Sequence, residues 1–215
     1  MSVRGFSAAA FVLVLATAGA VAGVRLTAPG DAARRGAPSV SARAGDAVAP
    51  VQREVPLPGG VMDLTVRAPD GRLILTTTVG ALAPVAVGDG YAPIDPPRWN
   101  QAVWVRYRPL VPPMDTTRGT SYVYGHACHH HTCAFTDLFH AAGGGSITLS
   151  QGARVVRYRI VRTSADFPKS GAGSLAARTS GVANRSVPDR LVLITCAYES
   201  GDVSLNNFVV VARRA

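Results

Sequence analysis

Lysine is almost missing from this chain. Lys169 is the one lysine among 22 basic residues, which face 13 acidic ones for a formal charge of +9. Such a charge is one footprint of nucleic-acid binding, but the arginines are scattered, and no helix-turn-helix, zinc-finger or RNA-binding signature accompanies them. A basic face turned toward anionic lipid or an anionic cell wall accounts for the charge equally well. Long amphipathic helical patterns and internal repeats are missing too, which excludes helix bundles and solenoids. Cysteine is scarce, with only Cys128, Cys133 and Cys196. None of them stands in a Cys-x-x-Cys-His haem-attachment pattern.

What is present divides the 215 residues into three parts. Phe6 to Val24 carries no charge and is mostly Ala, Val, Leu and Phe, with Arg4 ahead of it. The run is long enough for one membrane span, and Ala20 and Ala22 before Gly23 also suit a signal-peptide cleavage site. Residues 1–24 are therefore expected to form a signal-anchor or transmembrane segment, read as uncleaved. Either outcome carries the remainder out of the cytoplasm. Residues 25–60 are rich in Pro, Gly, Ala, Arg and Ser without apolar periodicity, as in a disordered tether. Residues 61–215 are long enough to bury one core.

In that last part short runs rich in Val, Thr, Ile and Tyr are bounded by Gly, Pro, Asp and Asn. Strands are expected at 62–66, 72–79, 84–87, 102–107, 121–125, 146–150, 154–163, 190–195 and 207–212. In Arg154–Thr163, Val156, Tyr158 and Ile160 alternate with Arg157, Arg159 and Arg162. Helical signal is confined to one or two turns in Phe135–Ala142. Many short strands with turn signals predict an all-β barrel or sandwich.

Two residues stand out chemically. The apolar run Leu191–Ile194 leads to Thr195 and Cys196 at the end of an expected strand. An earlier expected strand, Ser121–Gly125, leads to His126. A thiol needs to be a thiolate to attack a carbonyl, and an imidazole nearby is a usual way to generate or use one. Taken singly, Cys196 reads first as a buried core cysteine and His126 as a surface or structural histidine. Thr195 ahead of Cys196 and a loop of small and polar residues after it suit a reactive strand edge better. Gly125 allows a sharp turn and the close approach of another group.

Together the motifs resemble the sortases, the cysteine transpeptidases that attach proteins to Gram-positive cell walls, and more narrowly the class E/F-like members of actinobacteria. Gly119-Thr120-Ser121-Tyr122-Val123-Tyr124-Gly125-His126 is similar to the family's strand ending in Gly-His. Leu193-Ile194-Thr195-Cys196 is similar to its Leu-x-Thr-Cys, and Asn207-Phe208-Val209-Val210-Val211-Ala212 to its closing strand. The resemblance implies an eight-stranded β-barrel, with His126 and Cys196 catalytic at one mouth, Thr195 and Asn207 touching substrate, and no cofactor. It also implies a single-pass membrane protein with an extracytoplasmic domain. Its partners would be secreted proteins bearing a Leu-Pro-x-Thr-Gly-like sorting signal and a peptidoglycan-precursor or other amine. The family's arginine at the start of the closing strand is missing: Leu205 falls there. Either Arg118 or Arg190 fills its role, or backbone amides suffice, or the enzyme is weak. Leu205 also keeps open a separate, non-enzyme reading: an exported β-domain that binds metal through His126 to Cys133, or a degenerate sortase fold kept for binding.

The order His before Cys excludes a papain-like peptidase, and the Ser-His-Gly-Cys motif of L,D-transpeptidases is absent. One dense cluster is left, His126-Ala127-Cys128-His129-His130-His131-Thr132-Cys133. It reads as a small disulfide between Cys128 and Cys133, which suits an exported domain, or as a zinc or copper site. In sortases the loop corresponding to 165–190 helps to recognise the sorting signal.

Overall fold

The computed structural model describes residues 52–87, 90–91, 93–128, 132–168, 181–197 and 206–215. The expected membrane segment lies outside them. Among the described residues no helix is long and apolar enough to cross a membrane.

Among the described residues eleven strands make up nearly all of the regular structure: β1 (Arg53–Val55), β2 (Met62–Arg67), β3 (Leu73–Ala83), β4 (Ala86–Val87), β5 (Gly90–Tyr91), β6 (Ala102–Val105), β7 (Thr120–Tyr124), β8 (Ser146–Gln151), β9 (Arg154–Pro168), β10 (Arg190–Cys196) and β11 (Asn206–Arg214). One 3-10 turn, Leu138–His140, lies inside the stretch expected to be helical. The nine expected strands all form. β9 runs five residues further than its alternation suggested, because pairing with β11 continues to Asn206↔Pro168 past two register shifts. β4 and β5 form a separate two-stranded ribbon.

The large sheet runs β1-β3-β2-β8-β9-β11-β10-β7-β6, and β6 returns to pair with β3. That last pairing closes eight strands into the expected barrel, with β1 added outside on β3. Closure pairs most sheet edges, leaving the Ala81–Ala83 end of β3 open to β1, and eight strands enclose an interior that side chains can fill. β2 shows how the sequence directs this: Met62, Leu64 and Val66 are buried, while Asp63, Thr65 and Arg67 alternate outward. The main core gathers these with Ile147, Leu149, Tyr158, Ile160, Leu191, Leu193 and Val210. A second apolar layer covers the other face of β7, β10 and β11, where Tyr122, Val192, Val209 and Val211 pack with Phe167 and Val182.

One boundary differs from expectation. The tether was to reach residue 60, yet Arg53, Glu54 and Val55 pair with Ala83, Leu82 and Ala81. Three residues carry too little periodicity to announce a strand, and a neighbour's open edge decides instead. Gln151 binds this segment from the far side, its Nε2 donating to the carbonyls of Pro58 and Gly60. Residues 47–215 form one compact unit with its own core and closed sheet, and so constitute a folding unit by themselves.

Among the described residues Tyr158 is the largest fully buried side chain. Its hydroxyl donates to the Pro113 carbonyl at 2.6 Å and lies 3.0 Å from Thr116 Oγ1. Burial raises its pKa, so the phenol stays neutral through the physiological range. Tyr158→Phe leaves the buried Pro113 and Thr116 groups short of a partner. Urea unfolding of the 47–215 unit is expected to show a loss of about 1–3 kcal/mol. An unchanged midpoint would mean that water replaces the hydroxyl at no cost.

Candidate active site

The site is built by two neighbouring strands that run in the same direction. β7 and β10 pair in parallel from Thr120↔Arg190 to Tyr124↔Ile194, and Gly125 N–H continues the ladder by donating to the Ile194 carbonyl at 3.1 Å. His126 and Cys196 each lie two residues beyond that last paired position. The two residues therefore come to the same end of the barrel, on strands about 4.8 Å apart.

His126 is held from several sides. Its carbonyl accepts from Phe135 N–H at 2.8 Å. A Cβ added at Gly125 would stand 2.8 Å from two carbons of the Phe135 ring, so glycine permits the close approach expected of it. The imidazole is largely buried, at 13% side-chain exposure. Its Nε2–H donates to the Pro96 carbonyl at 2.7 Å. The Asp95 carboxylate stands 3.6 Å from the same nitrogen, and the Trp99 ring lies 4.3 Å away, tilted by 31°. With Nε2 engaged, Nδ1 is the nitrogen left to exchange a proton. Sequence reasoning missed the whole Asp95-to-Trp99 segment. It belongs to no strand and has no periodicity, and its one local signal is the stiffness of Pro96-Pro97.

Cys196 ends β10 half-buried, as the one cysteine outside the disulfide. Alternation along β10 puts it on the face of Val192 and Ile194, while Thr195 shares the core face of Leu191 and Leu193. Thr195, expected at the substrate, is 3% exposed, and alternation turns its side chain to the barrel interior, away from the face of Cys196.

Asn207 is placed beside the thiol. It is the cross-strand partner of Cys196 on β11. Ala197 N–H donates to the Asn206 carbonyl at 2.9 Å, which makes Ala197↔Asn206 a hydrogen-bonded pair and Cys196↔Asn207 the adjoining non-hydrogen-bonded one. Side chains come closest at that kind of pair. Leu205 lies outside the described residues, as do residues 169–180 of the expected recognition loop.

Arg190 does not fill the role of the missing arginine. It begins β10, a strand length of about 20 Å from Cys196. There its guanidinium is buried and donates to Thr120 Oγ1 at 2.8 Å, to the carbonyls of Gly181 and Val182 at 2.9 and 3.2 Å, and to that of Asn184. Burial lowers its pKa, and these acceptors hold the charge in place. Arg118 is exposed in the turn leading into β7, at the same distant end.

Cys128 and Cys133 are joined in a disulfide, with their Cα atoms 5.7 Å apart. Bridged sulfurs are not thiolate ligands, so the metal reading loses both cysteines. His129, His130 and His131 lie outside the described residues.

A sortase-domain family model matches residues 78–215. The chain belongs to the sortase family. Sortases are cysteine transpeptidases. Among solved structures, the lid mutant of sortase A from Corynebacterium diphtheriae is 15% identical with a TM-score of 0.50, covering 71% of this chain and 69% of that one. Sortase A from Listeria monocytogenes is 14% identical at 0.45, covering 71% and 86%. Sortase C1 from Streptococcus suis is 15% identical at 0.46, covering 72% and 73%. The first of these likenesses shows a shared fold. No curated protein matches the sequence.

Gly125→Ala drives a methyl group into the Phe135 ring. The substitution is expected to cost about 1–3 kcal/mol. It should also shift the His126 ring resonances in an NMR spectrum, whereas Gly143→Ala, which meets nothing closer than 3.7 Å, should leave them in place.

Proposed function

We propose that this sortase is a membrane-anchored transpeptidase that cleaves a Leu-Pro-x-Thr-Gly-like sorting signal through Cys196 and passes the acyl group to a cell-wall amine. The observation that carries the reading is the parallel β7–β10 register, which brings His126 and Cys196 to one barrel mouth. In the reaction the Cys196 thiolate attacks the threonine carbonyl to give a tetrahedral oxyanion. Collapse breaks the C–N bond, and His126 gives its proton to the departing amine. The resulting thioester is attacked by an incoming amine, whose proton returns to His126, and the thiolate leaves. Acid–base help of this kind supplies about 10²- to 10⁴-fold in rate.

The Pro96 carbonyl and the Asp95 carboxylate on the Nε2 side hold the ring with Nδ1 left for proton exchange. Asn207 takes the role of oxyanion or substrate donor, because it is the cross-strand partner of Cys196 on the neighbouring strand. The 165–190 segment contributes to recognition of the signal. Membrane attachment rests on the apolar run Phe6 to Val24, and the class E/F-like assignment rests on the sequence motifs.

Intact-mass spectrometry of the 47–215 unit with a panel of Leu-Pro-x-Thr-Gly-type peptides tests the reaction. A peptide–acyl adduct is expected on the parent protein, none on Cys196→Ala, and at least a hundredfold slower formation on His126→Ala. If no peptide forms an adduct on the parent, the reading as a degenerate sortase kept for binding takes over. For Asn207→Ala, adduct formation is expected to slow by about 10²- to 10³-fold with little change in peptide affinity. A rate equal to the parent's would remove Asn207 from the mechanism.

A further inference from the structure

The outer surface of the barrel carries a row of arginines that the sequence scatters and the register assembles. Arg67 on β2 pairs with Ser146 on β8, Ser146 with Arg159 on β9, and Arg159 with Arg213 on β11. The next row holds Thr65, Thr148 and Arg157. Arg162, opposite Val211, extends the face past a bulge. All five arginines are exposed. Arg67 and Arg213 are fixed through Nη1, which donates to the Gly71 carbonyl at 2.9 Å and to the Pro188 carbonyl at 2.7 Å respectively.

Like charges directly opposite on neighbouring strands destabilise a sheet, and Arg159 faces Arg213 in this way. Among the described residues the ion pairs are Arg98–Glu54 and His126–Asp95, so none of the five has an acidic partner within 4.0 Å. The nearest outward acid in these rows is Asp63, opposite Ser150. Serine and threonine hydroxyls fill the gaps between the guanidinium groups. Acids stand at the ends of this face, Asp70 next to Gly71 and Asp189 next to Pro188, while the rows between them offer donors for anionic oxygens. It also carries two bare aliphatic side chains on β9, Val155 at 55% and Val161 at 52% exposure. A soluble polyanion has no use for exposed valines, whereas a lipid headgroup layer accommodates both kinds of side chain.

We propose that the β2-β8-β9-β11 face docks the barrel onto an anionic lipid surface. Phosphate oxygens would accept from Arg67, Arg157, Arg159, Arg162 and Arg213, with Val155 and Val161 entering the apolar margin of the headgroups. The row lies at the Arg190 end of β11, whereas Cys196 pairs with Asn207 at the opposite end. Docking by this face therefore leaves the proposed reaction site uncovered, and the inference rests on no step of the reaction.

The test is co-sedimentation of the 47–215 unit, which lacks the apolar N-terminal run, with vesicles of phosphatidylglycerol mixed into phosphatidylcholine. Pure phosphatidylcholine vesicles and soluble polyphosphate serve as comparisons. Binding to the anionic vesicles but not the neutral ones is expected, weakening as salt is raised. The triple variant Arg157→Gln, Arg159→Gln, Arg162→Gln should bind them about a hundredfold more weakly. Arg53→Gln, Arg106→Gln, Arg108→Gln removes the same charge from elsewhere and should lose much less. Val161→Ser should weaken vesicle binding alone. Melting curves identify any variant that has unfolded, and the single Arg159→Gln then stands in for the triple. The proposal is overturned if anionic vesicles do not bind the parent, if both triples lose affinity equally, or if polyphosphate binds the arginine face while vesicles do not.

Discussion

Everything at the mouth of this barrel depends on one parallel ladder. β7 and β10 lie side by side although some seventy residues separate them, and their pairing spends loop-closure entropy before it returns any contact energy. The return comes through the apolar faces of both strands. Val123, Leu191 and Leu193 enter the main core, and Tyr122 and Val192 the second layer. A slip of one residue would exchange those faces. It would also move Gly125 away from Ile194 and turn Cys196 into the interior. Burial of the strands thus fixes the position of the two reactive groups.

The opposite end of the same ladder is locked by Arg190. A charged group is costly to bury unless its hydrogen bonds are met, and four carbonyl and hydroxyl acceptors meet them. The residue weighed for catalysis is thus a clamp that ties residues 181–184 to the base of β10. A basic side chain close to a motif in sequence can be remote from it in space, because a strand extends by about 3.3 Å per residue.

The barrel was largely legible in the sequence because alternation in runs such as Met62–Arg67 and Arg154–Ile160 is a direct image of a sheet with one buried face. What the sequence withheld depends on contacts between distant segments. β1 exists because β3 has an edge to offer. Asp95, Pro96 and Trp99 reach His126 only once a loop without pattern has been laid across the mouth. Of the two residues expected at the substrate, Asn207 emerges beside Cys196 and Thr195 faces the core. Period-two counting along β10 separates the two faces only when the facing register is known.

The Cys128–Cys133 bridge follows His126 directly and spans five residues. Cys196 is roughly sixty to seventy residues away from either partner. In an unfolded chain the shorter loop closes more readily by a factor on the order of tens. An emerging chain that meets an oxidising compartment is therefore biased to spend its two spare thiols on each other first. In such a compartment the neighbouring cysteines would act as a local sink for oxidation and leave the thiol at the strand end outside the bridge.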